Sequence, residues 1–216
     1  MLLFKFKTHT TLVLTLAMLT VGFAGAATAQ EGEFEGASYT CLQFTNGQGE
    51  NATGKALADL ARFWILGYLT GHYYGQERLD LTDDSDTERR VIRSMLSKCR
   101  EFPSNSVLAV ADNLARDRKR SLPQTTSNDF NPQEYSCGDY VDGKKGSASD
   151  VLKADLADFW AFAFIQGFVN SDDADVVIPV ENKTAIVNAI NKNCGSNRSF
   201  SYYQLTSAVA PMVKPQ

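Results

Sequence analysis

"LADLARFWILGYLTG" spans residues 57–71, and "LKADLADFWAFAFIQG" spans residues 152–167. Setting Trp64 on Trp160, a shift of 96, also sets Asp59 on Asp155, Leu60 on Leu156, Ala61 on Ala157, Phe63 on Phe159 and Gly71 on Gly167. These are the only two tryptophans in the chain, one to each copy. In the first copy Leu57, Leu60, Ala61, Trp64 and Tyr68 fall on one face at helical spacing. Leu152, Leu156, Phe159, Trp160 and Phe164 do the same in the second. From Phe63 to Leu69 the segment is apolar nearly all round, as a central buried helix requires. A chain that writes one buried helix twice reads as a duplicated module.

The cysteines extend the repeat. Cys41 in "YTCLQF" maps onto Cys137 in "YSCGDY" at the same shift, and Cys99 maps onto Cys194 at a shift of 95. Four cysteines allow three connectivities. A duplicated unit with two apiece makes Cys41–Cys99 and Cys137–Cys194 the simplest. A metal role fits poorly, because no C-x-x-C occurs and only His72 follows the first 29 residues. Closing a loop of that length stabilises a small unit by about 4 kcal/mol on the chain-entropy account. Units of about 80 residues bury modest cores, so such a staple matters.

More helices follow at equivalent places. Val91, Ile92, Met95, Leu96 and Cys99 form an amphipathic stripe, matched by Ile186, Val187, Ile190 and Cys194. Thr87 and Asn182 are N-cap types ahead of that helix. Ser104, Ser106, Ser199 and Ser201 suit the start of a closing helix that carries Val107, Leu108, Ala111, Leu114 and Ala115 in the first copy. Sustained strand alternation is missing, and Pro179 weakens "ADVVIPV" as a strand. The expected fold is therefore all-α: two small disulfide-closed helical bundles in tandem, over 38–117 and 134–214. Residues 118–133 read as a linker; the basic run Arg116–Arg120 leads into it, and it then turns rich in Pro, Ser, Thr and Asn. The two units either pair as an intramolecular pseudo-dimer or hang as beads on that linker.

Lys5 and Lys7, the apolar run from Thr11 to Ala26 and Ala27-Thr28-Ala29 have the layout of a secretory signal peptide over residues 1–29. No later run reaches the length of about 20 apolar residues that a bilayer span needs. Cleavage would leave 19 basic and 25 acidic side chains, a formal charge near −6, which argues against nucleic acid or an anionic membrane as partner. An exported, periplasmic chain is expected, in keeping with paired cysteines.

A cysteine in "YTCLQF" or "YSCGDY", a central Trp helix, a second cysteine ending an amphipathic helix and a short closing helix resemble the HdeA/HdeB family of periplasmic acid-stress chaperones. The resemblance covers nearly all of the chain after residue 38. It implies small helical domains with one disulfide each, loosening in acid to hold unfolding clients on apolar surface. Carried over by position are the cysteines and the helix-face residues Leu60, Trp64, Tyr68, Leu156, Trp160 and Phe164, as core or client-binding side chains. This chain has two units where the family has one. In the closing helix Tyr202 and Tyr203 stand where the first copy has Val107 and Leu108.

Catalysis is not expected. No G-x-S-x-G, H-E-x-x-H or phosphate-cradling glycine loop occurs, and no cofactor is implied. His72 reads as a surface or helix-end residue. Asp80, Asp83, Asp84 and Asp86, and again Asp172, Asp173 and Asp175, sit in loops that lack the glycine and closing Glu of a calcium hand. Two partner classes remain: unfolded periplasmic proteins for a holdase, or one specific folded protein for an inhibitor, immunity-type protein or accessory subunit.

Overall fold

The computed structural model describes residues 34–49, 52–77, 80–82, 85–116, 121–123, 130–172, 176–179 and 181–213. The signal-peptide reading of residues 1–29 lies outside them. In chain order the elements are α1 (Cys41–Asn46), α2 (Ala52–Gly75), β1 (Asp80–Thr82), α3 (Ser85–Glu101), α4 (Val107–Arg116), β2 (Ser121–Pro123), α5 (Cys137–Gly143), α6 (Ala148–Asn170), α7 (Glu181–Ser196) and α8 (Tyr202–Val213). The described residues are thus all-helical apart from one parallel ladder of three residues, β1 on β2, in which Leu81 pairs with Leu122. Both disulfides form as the repeat predicts, Cys41–Cys99 joining α1 to α3 and Cys137–Cys194 joining α5 to α7.

The short helices α1 and α5 start because their caps are written into the sequence. The Thr40 and Ser136 hydroxyls accept from the N–H of Gln43 and Asp139, whose side chains reach back to the cap N–H. Ser147 and Asp150 form the same reciprocal box before α6, a pairing that satisfies two orphan donors at once. Ser106 caps α4 through the Ala109 N–H, and Ser201 caps α8 through the Gln204 N–H. Thr87 and Asn182 do not cap. Helices α3 and α7 begin earlier, at Ser85 and Glu181, so both residues sit in the first turn.

Backbone bonds in each half lash the segment before the first cysteine to the closing helix. Cys41 N–H donates to Asn105 O at 2.8 Å and Val107 N–H to Tyr39 O at 2.8 Å. In the second half Cys137 N–H donates to Phe200 O at 2.8 Å and Tyr202 N–H to Tyr135 O at 2.7 Å. The isolated bridges Thr40–Ser106 and Ser136–Ser201 belong to this seam. The repeat begins four residues earlier than the sequence boundaries suggest, at Phe34 and Phe130. Both rings are buried, Phe34 near Trp64 and Phe130 near Trp160. Part of the expected linker is therefore core, and another part is β2.

Helices α2 and α6 make the most extensive contact between elements in the molecule. The described residues from Phe34 onward form one compact unit, so beads on a linker do not describe it. Leu57 and Leu152, expected on the buried face, lie at the outer ends of these helices, 36 % and 61 % exposed.

Candidate functional site

The contact between the halves has a pseudo-twofold pattern that follows from the 96-residue shift. A Cβ placed on Gly67 would lie 3.0 Å from the Cβ of Ala163, its equivalent. On Gly71 it would run into the carbonyl oxygen of Phe164 and lie 2.6 Å from the carbonyl carbon. On Gly167 it would run reciprocally into the carbonyl oxygen of Tyr68 and lie 2.9 Å from the His72 nitrogen. On Gly75 it would meet the Ser171 side chain, 2.7 Å from its Cβ. Gly67, Gly71 and Gly75 thus form one small ridge and Ala163, Gly167 and Ser171 another, four residues apart on parallel helices. Small residues at that spacing let two helix backbones approach closely, as in membrane helix pairs.

Aromatic rings close the same seam. Phe63 and its equivalent Phe159 stack at 6.0 Å with 23° between planes. Phe34 reaches across to Phe159 at 5.7 Å, and Phe130 reaches reciprocally to Phe63 at 5.9 Å. Phe63 lies in the apolar cluster of the second half, and Ala163 in that of the first.

The six apolar residues picked from the sequence all lie on these two helices. Trp64, Tyr68, Trp160 and Phe164 are buried, while Leu60 and Leu156 are partly buried against the two cores. Trp64 stacks on Tyr68 at 5.2 Å, and Trp160 lies 5.2 Å from Phe164.

The two halves differ most in their buried polar groups. In the first, the Tyr68 hydroxyl donates to Asp112 Oδ1 at 2.7 Å, and Arg116 Nε donates to Asp112 Oδ2 at 2.7 Å. Asn170, from the other half, donates to the Tyr68 oxygen at 3.2 Å. His72 Nε2 lies 3.9 Å from Asp112 Oδ1. His72 is at the end of α2 as the sequence suggests, but fully buried, because the neighbouring ridge residue Gly71 lies against α6. Burial, then the Asp112 carboxylate, pushes the Tyr68 phenol well up, so it stays a donor.

In the second half Asp158, on α6, takes the central role. It accepts from the Tyr140 hydroxyl at 2.7 Å, the Tyr202 hydroxyl at 3.3 Å and Lys144 Nζ at 2.5 Å. Burial raises its carboxyl above the usual carboxylate value despite those donors. Burial alone would lower the Lys144 ammonium, but its hydrogen bonds to Asp155 and Asp158 leave it above its ordinary value. Asp158 replaces Arg62 of the first half, and Asp112 is replaced by Ser207 in the second.

On the surface, a cleft of about 680 Å³ is lined by Asn131, Glu134, Tyr135, Asp139, Asp142, Asp150 and Lys153 among others. Three of its four acids already serve the structure: Asp139 and Asp150 complete capping boxes and Asp142 pairs with Arg198 at 2.6 Å. Burial first, then the fields of Asp139, Asp150 and Asp158, pushes the Tyr135 phenol up to about 12. Of the acidic loops weighed for calcium, Asp83, Asp84, Asp173 and Asp175 lie outside the described residues, and Asp86 pairs with Arg89 at 3.2 Å. Of the basic run, Arg116 is bonded to Asp112, and 117–120 lie outside the described residues. No group of metal-holding side chains occurs among the described residues, and no described helix is long and apolar enough to cross a membrane.

No protein-family model, curated protein or solved structure matches this chain.

Proposed function

We propose that this protein is an exported, periplasmic holdase of the HdeA/HdeB-like kind, a binding protein without catalytic activity that holds unfolding clients under acid stress. The observation that carries the reading is where covalent and non-covalent bonds fall. Both disulfides lie inside a half and no cysteine is left to bridge between halves. The α2–α6 seam is held without a covalent bond, by close packing and by hydrogen bonds such as Asn170 to Tyr68 and Gln76 to Ser171. The helices that form it carry Trp64, Tyr68, Trp160 and Phe164, with Leu60 and Leu156 partly buried. Parting the halves would bare an aromatic face on each while the sulfur bridges keep each bundle clasped. Acid supplies the force. With carboxylates neutral near pH 2, the chain without residues 1–29 goes from a formal charge of −6 to about +20, counting its Lys, Arg and His72, and self-repulsion favours opening.

The test is light scattering from a client that unfolds at pH 2–3, with and without the oxidised protein. Suppressed scattering is expected, and equal scattering overturns the proposal. Capture of one folded partner at neutral pH, with no effect in acid, would favour the inhibitor or immunity-type reading instead.

A further inference from the structure

Helix α3 and the α2 residue Arg62 line a groove of about 420 Å³ formed by Arg62, Glu88, Arg89, Ile92, Arg93 and Leu96. Arg89, Ile92, Arg93 and Leu96 fall at i, i+3, i+4 and i+7, one face of α3. The lining side chains, three guanidinium groups and one carboxylate, sum to a formal charge of +2 in a chain whose net charge is −4, with Asp59 and Asp86 beside Arg62 and Arg89. Arg93 has no ion-pair partner among the described residues, and Arg89, whose side chain is 70 % exposed, holds only the surface pair with Asp86. Arg62 is steered by Asp59 at 3.5 Å and by a hydrogen bond to Gln48, while its buried Nε has no acceptor among the described residues.

The duplication supplies an internal control. At the equivalent positions the second half has Asp158 for Arg62, Lys183 for Glu88, Thr184 for Arg89, Val187 for Ile92, Asn188 for Arg93 and Asn191 for Leu96. The core positions of the same helices keep their character: Val91, Met95 and Cys99 answer to Ile186, Ile190 and Cys194, all buried. Packing therefore does not demand the arginines. A fold repeated without them stands beside them in the same molecule.

We infer that the Arg62–Arg89–Arg93 groove is a binding site for a free amphiphilic carboxylate, a fatty-acid-type anion whose head lies on the guanidinium groups and whose chain lies along Ile92 and Leu96. Arginine presents a planar fork of donors matched to a carboxylate, and the volume falls within the range of small-ligand sites. The overall negative charge of the protein sets it against an anionic bilayer surface as the source of that head. The site does not depend on the holdase reading.

Calorimetric titration with decanoate below its micelle concentration, at pH 7 on the whole oxidised protein, tests this. Saturable one-to-one binding is expected, weakened at least tenfold in Arg93→Gln and in Arg89→Gln, and much weaker for decanol. Both substitutions are at exposed positions, and unchanged circular dichroism would confirm folding. Lys183→Gln, at the equivalent place in the second half, should bind decanoate as the wild type does. Absent or non-saturable binding, equal binding of decanol, or wild-type affinity in both arginine variants would overturn the inference. So would retention on anionic vesicles with no binding of free decanoate.

Discussion

Gly71→Ala puts the seam to a direct test. One methyl group would be placed inside the contact radius of the Phe164 carbonyl oxygen and 2.6 Å from its carbon. The obstacle is helix backbone, which cannot rotate away. Ordinary contact needs about 3.4 Å or more, so α2 and α6 must move apart by roughly 1 Å along a shared length that includes Gly67 and Gly75. A gap of 0.5–1 Å already forfeits about a quarter to a half of each dispersion contact. Overpacking of this kind costs typically about 1–3 kcal/mol and occasionally more. A rigid, doubled contact belongs at the top of that range. Against it stands the intrinsic preference of a helix for Ala over Gly, about 1 kcal/mol. A net loss of about 2 kcal/mol or more should lower Tm by roughly 4–8 °C in a domain of this size. Gly195→Ala is the matched control: the glycine lies in the last turn of α7 with nothing within 4 Å of its added Cβ. There the propensity acts alone, and Tm should hold or rise by a degree or two. Thermal melts of the two variants at pH 7 suffice. A Tm for Gly71→Ala at or above wild type would refute backbone-to-backbone packing of the halves.

Tyr68→Phe should cost about 1–3 kcal/mol by leaving Asp112 and Asn170 short of a buried partner, read as a lower midpoint in urea. An unchanged midpoint would show that the hydroxyl carries no such bond. Two carboxylates should respond to pH with opposite signs. Asp158 is raised by burial, so its ionised form costs folding free energy above the ordinary carboxylate range, and that cost vanishes as the group protonates. The Tm of wild type minus that of Asp158→Asn should therefore grow between pH 7 and pH 3. Asp142 is held low by its hydrogen bond from Arg198, so its contribution is present above the unfolded value near 4 and lost as pH falls through the folded one. For Asp142→Asn the same difference should shrink, and melts showing the reverse order would sink both assignments.

Much of the candidate site was legible before any coordinates, because the Trp helices are apolar nearly all round and a duplicated sequence checks itself. The ridges were legible too in principle: Gly67, Gly71 and Gly75 are spaced by four, as are Ala163, Gly167 and Ser171. Spacing alone gives no warning that two backbones meet there. Asp112 and Asp158 were missed for a different reason. Each is a single buried acid among apolar core positions, and a pattern of hydrophobicity treats it as noise. Apart from Arg116, four residues past Asp112, the donors lie far off in sequence: Tyr68 is 44 residues from Asp112, and Tyr140 and Lys144 are 18 and 14 from Asp158. The early start of α3 and α7 escaped because Thr87 and Asn182 have cap chemistry while lying inside the first turn.

Local composition alone determined the helical class, the repeat, the caps of α1, α5, α6, α4 and α8, and the pairing of the cysteines. Those properties depend on backbone bonds and side chains a few residues apart, or on copying. Whether the halves pack, how near they come, that His72 is buried, and that the arginines of one half converge on a groove were settled only by tertiary structure. Such facts depend on which surfaces meet across about a hundred residues of chain. A sequence carries the complementarity that drives that meeting, but its linear order does not display it.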